Sequence, residues 1–269
     1  MAPFIQNLTT AAALAAVCGG SRMHAQGIEE GSAFGSPVKT TGSMIGIFYD
    51  LKQNQKRQPV KVNYLEVMGR FLDSGWDESV LRGFFRGTRP IYATEVFIHT
   101  MRATAAPHAF QLADVVQPSY WFVIYKAQVS PPEDGTYRFV GIADDVMAVA
   151  VNGKTTLVSN WESTPNRSKW QQSSASKAED FRVWAGPLRH GDWFEARKGQ
   201  PIDLDILMGE YPGNIFGAWL LIEKQGATYS RNSEGKPELP VFQVRAKSIT
   251  AAFQDVPFTT NSPPWTCHE

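Results

Sequence analysis

The sequence predicts a mainly β protein, an antiparallel β-sandwich with a short helical insertion at about residues 60–87. Three observations carry that expectation. Short runs rich in Val, Ile, Phe, Tyr and Trp recur along the 269-residue chain, separated by turn residues at close intervals. Two of these runs are joined by Asn152-Gly153, a pair that accepts φ > 0 and closes tight hairpins. A helical period is clear only where Val62, Leu65, Met68 and Leu72 recur before Gly75.

Residues 1–26 read as an export signal, with the small apolar stretch "NLTTAAALAAVCGG" followed by "SRMHAQG" and Ala25 before the cleavage point. No Lys or Arg precedes the stretch, a departure from the usual signal. Export implies a secreted, periplasmic or cell-surface protein. No other segment approaches the roughly 18 apolar residues of a membrane span, so no membrane insertion of the mature chain is expected. Residues 27–42, rich in Gly, Ser and Thr, read as a linker, and 43–250 as one domain. Residues 251–269 read as a C-terminal tail.

Within the domain "SMIGIFYDL" is the first strand, and two short helices follow, the second capped by Asp77. "PIYATEVFIHT", "YWFVIYKAQV", "GTYRFVGI" and the two arms around Asn152-Gly153 are strands. A polar loop occupies about 160–180. It carries Asn166-Arg167-Ser168, a glycosylation acceptor pattern, and is flanked by Trp161, Trp170, Trp184 and Trp193. "PIDLDILMG" alternates as a half-exposed strand, "FGAWLLIEK" is apolar on both faces as a central strand is, and "VFQVRA" is the last.

The totals exclude several classes. With 26 basic and 26 acidic residues the chain has no net charge to attract nucleic acid or anionic lipid. Cys18 and Cys267 are the only cysteines and the five His are scattered, so neither a disulfide framework nor a zinc site is expected. The sequence has no nucleophile elbow, phosphate-binding Gly loop, HExxH or dinucleotide fingerprint, and a non-enzymatic role follows.

Asp144-Asp145 stand out, because adjacent carboxylates repel and Asp is a poor strand residue. Two readings compete. The pair caps a strand end, taking the backbone N–H groups of Val146 and Met147, or it converges on a hard cation such as Ca²⁺, which takes six to eight oxygen ligands.

The surrounding run "PPEDGTYRFVGIADDVMAVAVNGKTTLVSNW" resembles the PA14 domain family. The shared signature is Gly135, Thr136, Tyr137, Phe139, Asp144, Asp145, Asn152, Gly153 and Trp161, in order. The resemblance covers about residues 118–226, extends to the strand at 43–51, and is absent over 60–87. It implies a β-sandwich of PA14 type, exported and adhesin-like, that binds a carbohydrate or cell-surface glycan. In sugar-binding members a cis peptide joins the two aspartates, which hold Ca²⁺, and the ion binds vicinal sugar hydroxyls. Carried over, Asp144 and Asp145 are ion ligands, with Asn214 in "GEYPGN" the third and Glu210 the reserve. Tyr211 and Trp161 are the aromatic residues placed to meet a sugar face. Val146-Met147 stand where the family commonly has Gly or Ser. The alternative is a structural or protein–protein interaction module in which the Asp pair is only a turn.

Overall fold

The computed structural model describes residues 31–165, 171–175, 182–246, 258–259 and 263–268. The export signal with Cys18, the Asn166-Arg167-Ser168 acceptor, Trp170 and most of the 251–269 tail lie outside the described residues.

In chain order the elements are β1 (Met44–Asp50), helix α1 (Tyr64–Asp73), a 3-10 turn (Glu78–Leu81), β2 (Phe85–Arg86), β3 (Ile91–Ala93), β4 (Phe97–Arg102) and helix α2 (Ala105–Ala109). Then follow β5 (Trp121–Ser130), β6 (Gly135–Asp144), β7 (Val146–Val151), β8 (Lys154–Val158), β9 (Ser174–Ala175), β10 (Arg182–Val183), β11 (Gly186–Pro187), β12 (Arg189–His190) and β13 (Phe194–Ala196). The chain closes with β14 (Ile202–Glu210), β15 (Ile215–Lys224), β16 (Leu239–Pro240), β17 (Phe258–Thr259) and β18 (Thr266–His268).

Two antiparallel sheets face each other, as expected. The first runs β2-β1-β5-β14-β7-β8, with β3 and β18 also paired to β1 and β5; the second runs β4-β15-β6-β12-β9, with β13 on β6. Between them lies a core that includes Phe48, Tyr125, Phe139, Met147, Leu204, Ile206, Met208, Phe216 and Leu220, all essentially inaccessible to water. Asn152 and Gly153 take φ of 50° and 75°, so the β7–β8 hairpin closes as their residue types dictate.

The helical insertion makes a third layer. Asn63 caps α1, its side chain accepting the Glu66 N–H, and Asp77 caps the 3-10 turn. Leu65, Met68, Phe71 and Leu72 of α1 bury against the outer face of the first sheet, where Phe122, Ile124, Val146, Ala148, Ala150 and Leu207 meet them. This explains why β7 is apolar at every position: both of its faces are covered. Val146 faces the insertion and Met147 the core, so these two are strand residues and add no bulk to a loop.

Four expectations need correction. Residues 31–42 are no spacer, because Phe34 is 1% exposed, stacks on Phe216 (5.6 Å) and has its carbonyl held by the Tyr125 hydroxyl at 2.6 Å. The tail contributes β18, which pairs Cys267 with Val129 in the first sheet. "PIYATEVFIHT" is two strands: β3 pairs with β1, and after a crossing at Thr94–Val96 β4 pairs with β15 in the other sheet. "VFQVRA" makes only isolated bridges among the described residues, Val241 to Leu221 and Gln243 to Glu95.

Candidate functional site

Strand β6 lies in the second sheet and β7 in the first, and Asp145 is the single residue between them. The Asp pair is therefore where the chain crosses from sheet to sheet. A second crossing runs beside it, because β14 ends at Glu210 in the first sheet and β15 starts at Ile215 in the second. Both crossings sit at one end of the sandwich, and each delivers a carboxylate there.

Asp145 is 3% exposed and the bond joining it to Asp144 is cis, as the resemblance implies. Its N–H donates to the Gly209 carbonyl (3.3 Å), and its own carbonyl accepts the Trp161 N–H (2.8 Å) and the Thr164 hydroxyl (3.3 Å). The carboxylate Oδ2 accepts the Tyr211 N–H at 2.7 Å. The Met147 N–H goes to Asn160 Oδ1 (3.1 Å) rather than to the Asp pair, and the Asp145 carboxylate ties the first crossing to the second.

Glu210 is fully buried, and among the described residues neither of its carboxylate oxygens has a hydrogen-bond partner. Gly213 turns the chain across this carboxyl; a Cβ there would come 2.6 Å from Glu210 Oε1 and 4.0 Å from Asp145 Oδ2. Asn214 is exposed at the end of the turn, its carbonyl accepting the Ala103 N–H (2.8 Å). Thus Glu210, the reserve, is the side chain buried beside the pair.

Burial dominates the electrostatics. It raises Glu210 to about 9, with the charges of Asp145 and Asp144 adding to the shift. It raises Asp145 to about 7, aided by the Asp144 charge and opposed by the Tyr211 N–H. Asp144 is also raised by burial, and a hydrogen bond between the two carboxyls pulls it back. Three acids this close cannot all ionise without a positive partner. The donors are all hard oxygens, two of them on a buried carboxyl with no partner among the described residues, and this chemistry fits Ca²⁺. Among the described residues no group of three or more His, Cys, Asp or Glu side chains is placed to hold a metal ion. A cation here would complete its shell with backbone, water or ligand oxygens.

Aromatic residues flank the two crossings. Tyr211 is half-buried and its ring meets those of Tyr64 (5.4 Å) and Tyr120 (5.7 Å). Trp161, beside Asp145, is 37% exposed, and so is Trp184. The Trp184 indole lies over Gly217, the partner of Asp144 in the β6–β15 register. Trp193 is elsewhere, covering the Arg138 guanidinium at 4.4 Å. His190 lies 3.6 Å from Glu223, which also binds Arg138, an ion-pair group with no nucleophile in it. Sequence reasoning missed Tyr64, Tyr120 and the buried Asn160. Gly209 alone carried a readable signal, an isolated glycine inside a strand.

The signature around the Asp pair reaches beyond this chain. Residues 111–183 match the PA14 domain family. The PA14 match contains Asp144, Asp145 and Trp161 and stops short of Glu210, Tyr211 and Asn214. Solved structures similar to this chain include the PA14 sugar-binding domain from an RTX adhesin, at 14% identity over 71% of this chain and 94% of that one (TM-score 0.42). The PA14 domain of the antifreeze protein MpAFP is 14% identical over 72% and 87% (TM-score 0.41). The epithelial adhesin 6 A domain from Candida glabrata, solved with Galb1-3GlcNAc, is 12% identical over 71% and 83% (TM-score 0.42). No curated protein matches the chain. No helix among the described residues is long and apolar enough to cross a membrane.

Proposed function

We propose that this domain is a non-catalytic binding module that recognises carbohydrate through a calcium ion, outside the cell or at its surface. Asp144 and Asp145 would hold the ion, with Asn214 as a further donor and Glu210 the buried acid beside them. The observation that carries the reading is Glu210, a fully buried carboxyl whose two oxygens have no partner among the described residues, next to two further acids. A protein gains no stability from that arrangement alone. When bound, the ion would neutralise the three acids and offer open positions to vicinal hydroxyls. Tyr211 fixes Asp145 through its N–H. Tyr211 and Trp161 supply half-exposed ring surface for the C–H face of a sugar. Carbohydrate is the ligand class that the PA14 resemblance implies.

The hydrogen bonds of Asp145 to Tyr211, Trp161 and Thr164 favour a second reading, in which the pair is a structural crossover in a protein–protein module. A calcium titration followed by thermal unfolding separates the two. In a large excess over Kd, calcium should raise the melting temperature of the metal-free protein by about 5–12 °C. The same titration should not move Asp144→Ala/Asp145→Ala. A wild type that does not respond, or a double variant that responds equally, rejects the calcium mechanism.

A further inference from the structure

We propose that the helical insertion is a working part of the cation site, and that Tyr64 at the start of α1 is its positioning residue. The inference rests on the calcium reading above. It concerns a segment outside the PA14 match, since α1 spans Tyr64–Asp73 and the match begins at residue 111.

Tyr64 reaches both crossings from behind. Its ring, 1% exposed, meets Phe122 at 4.8 Å, Tyr211 at 5.4 Å and Tyr120 at 5.9 Å. Tyr211 is the residue whose N–H holds the Asp145 carboxylate. The Tyr64 hydroxyl donates to the Trp121 carbonyl (3.1 Å), and Trp121 is the register partner of Glu210. That hydroxyl occupies the room left by the missing side chain of Gly209; a Cβ there would sit 2.3 Å from it. Gly209 in turn accepts the Asp145 N–H and immediately precedes Glu210. One side chain of the insertion thus braces the residues on either side of the acid cluster.

Packing alone does not call for this residue. Leu65, Met68, Phe71 and Leu72 already bury α1 against the sheet, and a leucine would fill apolar space without a phenol. Tyr64 instead puts a buried hydroxyl within electrostatic reach of Asp145 and Glu210. Groups that orient metal ligands in this way typically change metal affinity about 10- to 100-fold when lost.

Terbium, a luminescent stand-in for calcium excited through nearby Tyr and Trp rings, reads the site directly. Tyr64→Leu is expected to weaken terbium and competing calcium by about 10-fold or more. Tyr64→Phe keeps the rings and loses the hydroxyl, and should weaken binding by about 3-fold, a smaller loss. Leu81→Ala removes another fully buried side chain of the insertion; it should lower the melting temperature and leave affinity unchanged. Tyr64→Leu binding as wild type overturns the proposal, and so does Leu81→Ala weakening binding equally. If Tyr64→Leu does not fold, Tyr64→Phe decides, and unchanged affinity overturns the proposal. A wild type that binds neither ion rejects the calcium reading together with this one, whereas normal wild-type binding with indifferent Tyr64 variants rejects this one alone.

Discussion

Glu210→Gln is expected to raise the melting temperature of the calcium-free protein at pH 8 by about 3–8 °C, and to remove the further rise that calcium produces. The reason lies in the cluster. Glu210 is buried beside two acids and its oxygens have no partner among the described residues. A glutamine of the same shape carries no charge and can donate its amide hydrogens to the neighbouring carboxylates. Because Glu210 holds its proton up to about 9, it is mostly neutral at pH 8, and removing the cost of keeping an unpartnered buried carboxyl protonated is worth roughly 1–3 kcal/mol. A residue whose replacement stabilises the empty protein and destroys its response to calcium is one kept for a ligand.

The pH dependence follows with a definite sign. In the unfolded chain these carboxyls titrate near their ordinary value of about 4. Folded and metal-free, the protein keeps a proton on Asp145 up to about 7 and on Glu210 up to about 9. Folding therefore binds protons in that window. The stability they contribute is fully present below pH 4 and declines as pH rises towards 9. Unfolding midpoints measured in a chelator should show this decline in the wild type, and a flatter profile between pH 7 and 9 in Glu210→Gln. A variant less stable than wild type at pH 8, or one that still responds to calcium, contradicts the role given to Glu210.

Gly209→Ala carries the second large effect, a loss of about 3 kcal/mol in denaturant unfolding. The added Cβ would meet the Tyr64 hydroxyl at 2.3 Å, the Trp121 carbonyl at 2.4 Å and Phe122 Cδ1 at 2.9 Å. Two of these neighbours are a backbone atom and a ring inside close-packed layers, which cannot move aside cheaply. Combining Gly209→Ala with Tyr64→Phe removes the nearest clash, so the double variant should be more stable than the sum of the single losses predicts. Simple additivity would show that the hydroxyl does not occupy this space.

The parts of the fold set by local chemistry were legible in the sequence. Alternation gave β14, paired turn residues gave the β7–β8 hairpin, and Asp77 gave the cap of the 3-10 turn. The parts set by distant contacts were not. Phe34 sits in a Gly/Ser-rich segment, and contacts far along the chain, with Trp121, Tyr125 and Phe216, make it core. The break between β3 and β4 reflects two sheets competing for one apolar run. At the site, Asp144 and Asp145 could be named because they are adjacent. That Glu210, at the end of β14, is buried while Asn214 is exposed is not told by the sequence. Tyr64 was out of reach, being 81 residues before Asp145 and joined to it only by tertiary packing.

The most direct measurement is binding of the wild-type protein to an array of neutral saccharides, in calcium and again in a chelator. Saccharides with vicinal hydroxyls should bind in calcium, be released by the chelator, and bind again when calcium is restored. Saccharide binding that persists in the chelator, or calcium binding with no saccharide retained, would contradict calcium-assisted carbohydrate recognition.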